Sequence, residues 1–138
     1  MSTRTFFPAC VKLAALALAA ALASVAQAAA SVKTADGMWT LTPDTTSLAV
    51  KQEGEVMIDA APVSGMMPAA CPEITGVTFT MPQHGGHGGS STPEAMKMSS
   101  CGYHVSGLTP TMGGDWQLHL DLKQGGKSTS ADIHVTAK

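Results

Sequence analysis

From residue 116 the chain alternates: Trp116, Leu118, Leu120 and Leu122 take every second position, with Gln117, His119, Asp121 and Lys123 between them. A period of two sends successive side chains to opposite faces, so this segment can bury its apolar set only as a strand with one face covered. Gly125-Gly126 comes next, and two glycines between alternating runs close a tight hairpin. The turn pairs residues whose numbers sum to 251, as its own two glycines do. Trp116 then lies beside Val135, Leu118 beside Ile133, Leu120 beside Ala131 and His119 beside Asp132. A slip of one residue would set every apolar side chain against a polar partner, so turn chemistry and pattern agree on a single register.

The rest of the chain must supply the layer that covers this hairpin. No window beyond residue 30 keeps an i, i+3, i+4 apolar stripe, and all 14 glycines fall in this part of the chain, where most punctuate short segments. Met38 to Thr42, Gly54 to Ala60, Ile74 to Met81, Ala95 to Ser99 and Tyr103 to Leu108 are the remaining longer strands, with Trp116 to Lys123 and Ser128 to Ala137 forming the hairpin. Seven short strands at this spacing predict an all-β sandwich. Met81 to Cys101 stands apart as a Gly- and Ser-rich crossing with about a dozen residues outside any strand, a length that usually carries a function or is disordered.

The first 28 residues are of another kind. Arg4 and Lys12 precede an apolar run from Leu13 to Ala26, and Ala26-Gln27-Ala28 places small residues at the −3 and −1 positions of a cleavage site. This reads as a secretory signal over residues 1–28, since 14 helical residues would reach about 21 Å, short of a hydrocarbon core of about 30 Å. Residues 29–138 carry six lysines against ten acidic residues, a net −4 (6 − 10). That charge excludes a basic nucleic-acid binder, and about 110 residues allow one domain with one core. Residues 29–45 are an N-terminal segment and 46–138 the sandwich. With Cys10 inside the leader, Cys71 and Cys101 are left as an even pair in a chain addressed to a periplasmic or secreted, oxidising space, where a disulfide is the favoured reading and paired metal-binding thiols the alternative.

The chemistry lies in Met81-Pro82-Gln83-His84-Gly85-Gly86-His87-Gly88-Gly89, followed by Met96-Lys97-Met98, His104 and Met112. Thioethers are neutral and polarisable. A Met and His set with few carboxylates therefore points to copper, as Cu(I), ahead of zinc, magnesium or calcium. The candidate ligands are Met81, His84, His87, Met96, Met98 and Met112. Each has a plainer reading beside it. Met81 continues the alternation of Val77 and Phe79 and can be the last core residue of its strand, and Met96 and Met98 can be a buried pair on one strand face. His84 and His87 can be solvated loop residues, and His104, His119 and His134 read as surface positions. Zinc held by His84, His87, His104 and a carboxylate is the less favoured metal alternative.

Strand direction adds a check. If consecutive antiparallel strands alternate ends, Cys71 and Cys101 fall together at one end, the bottom. The loop His84 to Gly89 and the turn Thr109-Pro110-Thr111-Met112-Gly113-Gly114 fall together at the other, which is how Met112 enters the set.

In order and composition these segments resemble the YtkA-like domain family, related to FixH-type accessory proteins of copper-containing oxidases. The resemblance rests on a strand ending in Met81-Pro82 with a His and Gly loop to Gly89, then Gly102-Tyr103, then Met112-Gly113-Gly114-Asp115-Trp116-Gln117-Leu118 and a terminal hairpin. It spans roughly residues 46 to 136. The sequence departs from the family's usual Met-Pro-x-Met-x-His-Gly pattern in having Gln83-His84 and an added glycine. The resemblance implies an immunoglobulin-like β-sandwich, bacterial, secreted or membrane-tethered, with a role in periplasmic copper handling or oxidase maturation. Enzyme readings find little support: there is no Gly-x-Ser-x-Gly elbow and no two carboxylates are forced to face each other across a cleft. Two functions are expected to compete. One is a periplasmic copper carrier or sequestering protein handing its ion to a periplasmic or membrane acceptor. The other is a metal-free interaction module assisting assembly of a membrane complex.

Overall fold

The computed structural model describes residues 29–63 and 70–138; the leader, expected to be a secretory signal, lies outside them. Ten strands succeed one another in chain order: β1 (Val32–Lys33), β2 (Trp39–Pro43), β3 (Ser47–Leu48), β4 (Gly54–Pro62), β5 (Glu73–Met81), β6 (His87–Gly88), β7 (Glu94–Lys97), β8 (Gly102–Leu108), β9 (Gly114–Gln124) and β10 (Lys127–Ala137). They form two sheets, β1-β2-β4-β8-β7 and β3-β10-β9-β5-β6. With the three two-residue strands set aside, the seven that remain are ordered first-second-fifth-fourth in one sheet and third-sixth-seventh in the other. That is the strand order of the seven-stranded immunoglobulin sandwich. All pairings are antiparallel except that of β10 with β3, where Thr136 and Ala137 run parallel to Ser47 and Leu48.

The terminal hairpin has the register that the Gly125-Gly126 turn requires: Trp116 faces Val135, Leu118 faces Ile133, Leu120 faces Ala131 and His119 faces Asp132. Its inner residues meet those of the other sheet. Val56, Ile58, Leu41, Tyr103 and Val105 come from one side and Phe79, Leu118, Leu120, Ile133 and Val135 from the other, all buried. Phe79 stacks on Trp116 with ring centroids 4.8 Å apart, and the Trp116 indole N–H donates to the carbonyl of Met112 at 3.0 Å. That bond ties the β8–β9 turn to the core.

The domain boundary expected at residue 46 moves. Residues 29–45 are part of the sandwich: β2 pairs with β4 from Trp39↔Pro62 to Pro43↔Ile58, and Trp39 and Leu41 are buried in the core. Trp39 donates from its indole nitrogen to Gln124 Oε1 at 2.7 Å, linking the two sheets near the hairpin turn.

Cys71 and Cys101 form a disulfide with Cα atoms 5.4 Å apart. It joins the chain just before β5 to the chain just before β8, so it staples one sheet to the other at the bottom. The buried Tyr103 hydroxyl donates to the Pro72 carbonyl beside it. Among the described residues no helix is long and apolar enough to cross a membrane.

Candidate metal centre

At the top of the sandwich the crossing after Met81 is more ordered than its composition suggests. Pro82–His84 makes one 3₁₀ turn that ends on Gly85, and Gly85 and Gly86 both take left-handed backbone, φ 73° and 74°. Side chains with a Cβ rarely adopt that conformation, so the two glycines are what allows the chain to reverse here. The reversal brings β6 back along β5, with Thr80 opposite Gly88 and Met81 opposite His87. Gly86 N–H donates to the Met81 carbonyl at 3.2 Å, Gly89 N–H to the Phe79 carbonyl at 3.4 Å and Ser90 N–H to the Thr109 carbonyl at 3.1 Å. The last of these ties the loop to the β8–β9 turn that carries Met112. A close approach lower down needs Gly107, whose φ is 72° and whose Cβ, if present, would collide with the Thr92 carbonyl.

Four of the six expected ligands therefore gather at this end. His84 and His87 are exposed, and no side-chain hydrogen bond engages either imidazole within the described residues. Met112 is 42% exposed, on the neighbouring turn. Met81 is 2% exposed and belongs to the core, as its alternation with Phe79 implies. Its methyl end nevertheless lies under the same turn, 3.2 Å from where a Cβ on Gly114 would stand. An imidazole pair with one exposed thioether, and a second thioether beneath, is what this end presents.

Met96 and Met98 are elsewhere. They lie on β7 and just beyond it, exposed at 64% and 59%, on the outer face of the first sheet. Met96 pairs with His104, and His104 is five residues along β8 from Thr109, a distance of about 16 Å. Thus neither methionine joins the top group, and the zinc set of His84, His87 and His104 is divided in the same way. Among the described residues no group of three His, Cys, Asp or Glu is placed to hold a metal. The sulfur atoms are the chemistry this arrangement offers in addition.

On the opposite sheet His119 is engaged otherwise. Its Nδ1 lies 2.5 Å from Asp132 and its Nε2 3.3 Å from Asp121. The hydrogen bond to Asp132 holds the imidazole pKa above its ordinary value, and the same bond holds the Asp132 carboxyl below its own.

One residue was not singled out from the sequence. Met57 is 40% exposed on the outer face of β4, between Glu55 and Asp59. A methionine in the polar half of an alternating strand was the available signal. Met57, Met96, Met98 and Met112 are the large hydrophobic side chains exposed among the described residues, and each carries sulfur.

Comparison of the chain with protein-family models, with curated proteins and with solved structures finds no match.

Proposed function

We propose that this protein is a periplasmic copper-binding sandwich that takes Cu(I) at its top end, through His84 and His87 with Met112 and the thioether of Met81, and gives it up to an acceptor protein. The observation that carries this reading is the pair of exposed imidazoles, set by two left-handed glycines onto the strand end that Met81 closes, beside the turn that exposes Met112. Neutral nitrogen and sulfur donors favour a soft monovalent ion over hard cations. Exposure suits exchange, because an acceptor can displace ligands one at a time while the sandwich stays folded. The leader sequence and the Cys71–Cys101 disulfide support an oxidising compartment. The resemblance to the YtkA-like domain points the same way.

The test is an anaerobic Cu(I) titration against a chromophoric chelator. His84→Ala combined with His87→Ala should remove one tightly bound Cu(I) without shifting the unfolding temperature, since both side chains are exposed. A double variant that holds as much Cu(I) as tightly as the parent refutes the assignment, and a parent that binds Cu(I) no more tightly than a generic His-bearing surface favours a metal-free interaction module. Zinc in the same assay should bind more weakly than Cu(I).

A further inference from the structure

The exposed methionines of the first sheet are not scattered. In the register of that sheet Met57 on β4 is the partner of His104 on β8, and His104 is the partner of Met96 on β7. The three side chains form one lateral row, thioether, imidazole, thioether, on the outer face. Partners in adjacent antiparallel strands have Cβ atoms about 4.5–5.5 Å apart, so the two flexible thioether arms flank the ring closely. Met98 lies one period further along the same edge, opposite Gly102.

The imidazole is already oriented. His104 Nε2 lies 2.7 Å from Glu55 Oε2. A carboxylate that accepts from Nε2 leaves Nδ1 as the ring nitrogen free to bind a metal ion in the neutral imidazole, and Nδ1 has no hydrogen-bond partner among the described residues. A carboxylate behind a ligating histidine is the arrangement that fixes tautomer and ring direction in metal sites. Met57 at 40% and Met96 at 64% exposure gain little from burial, so core packing does not account for methionine at either position.

From this we infer a second soft-metal site on the outer face of the first sheet, formed by Met57, His104 Nδ1 and Met96, with Glu55 orienting the histidine. It takes a monovalent ion of the Cu(I) type. Two thioethers and one neutral imidazole bring no charge, and the single carboxylate one hydrogen bond away balances one positive charge. This site goes beyond the top-end reading and does not depend on it, because its His104 lies about 16 Å along the chain from Thr109, to which that loop is tied, and it shares no ligand with it.

The experiment uses the His84→Ala, His87→Ala protein, in which the top-end imidazoles are gone, titrated anaerobically with Cu(I) alone against a competing chelator. It should retain one Cu(I), and adding Met57→Leu with Met96→Leu should weaken that binding at least tenfold. Leucine keeps volume and apolar surface and removes only sulfur, so the fold, followed by circular dichroism, should be unchanged. In the protein with both methionines present, the Cε methyl resonances of Met57 and Met96 should shift during the titration. The inference is overturned if the histidine variant holds no Cu(I), if the leucine substitutions leave its affinity unchanged, or if the two methyls do not move. Failure of the top-end reading has another signature: the His84→Ala, His87→Ala protein then binds as much Cu(I) as its parent.

Discussion

Removing the disulfide by Cys71→Ala with Cys101→Ala should destabilise the protein substantially and leave the top-end metal chemistry alone. The bridge spans a sequence separation of 30 residues. Closing a loop of that length restricts the unfolded chain by about 12 cal/mol/K, or about 3.6 kcal/mol at 25 °C. Unfolding entropies of about 2.1 cal/mol/K per residue over about 110 residues convert this to a fall of about 16 °C in Tm. Alanine is preferable to reduction, because free thiols would bind Cu(I) themselves. The assay is urea and thermal unfolding of parent and variant, each paired with chelator competition at 25 °C. Because the bridge lies at the end opposite His84, His87 and Met112, the affinity of the top-end Cu(I) site should stay within about twofold so long as the variant is folded. A loss under about 1 kcal/mol would refute the loop-entropy reasoning. A loss of the top-end Cu(I) by a variant still folded would refute the separation of a bracing end from a binding end.

Two further outcomes are expected. Met81→Leu should cost less than about 1.5 kcal/mol in urea unfolding, being nearly volume-conserving at a buried site, whereas Met81→Ala should cost about 2–5 kcal/mol. The leucine variant should also bind Cu(I) more weakly, and an unchanged affinity would return Met81 to a purely packing role. The His119–Asp132 pair should make stability pH-dependent. His119, raised above 6.5, contributes fully below that pH and loses its contribution as pH climbs through the folded value. Asp132, lowered below 3.8, contributes above that pH and loses its contribution as pH falls through its folded value. Their joint contribution is therefore greatest between about pH 4 and 6.5. With side chains 37% and 48% exposed, it should amount to under about 1 kcal/mol. Thermal unfolding from pH 5 to 8, with Asp132→Asn flattening the profile, checks it, and an unaltered profile in that variant would remove the pair as its source.

The parts of the candidate site differ in how far they could be read in advance. The residue types proposed as ligands were visible in advance, as Met, His and Gly gathered in one segment. Convergence was not. Met96 and Met98 come soon after the loop in sequence, yet the extended chain from Ser90, beside Thr109, to Met96, opposite His104, carries them down the sheet and away from it. Met57 gave a weaker signal still, a lone apolar residue among Glu55 and Asp59, and its meaning came only from its neighbours across two other strands.

What the sequence determined by itself was whatever is encoded locally. The period of two and the Gly125-Gly126 turn fixed the hairpin and its register, since a single-residue slip would bury polar side chains. Strand alternation also offered Met81 as a core residue beside its reading as a ligand, and strand direction set the two cysteines as neighbours at one end. Tertiary structure alone decided which strands lie side by side. It drew residues 29–45 into the sandwich, folded the His87 segment back along β5, and aligned Met57, His104 and Met96, with His104 lying 47 positions from Met57 and 8 from Met96 in the chain. The physical reason is that lateral pairing depends on hydrogen bonds and packing between distant strands, and no local pattern records which partner a strand will meet.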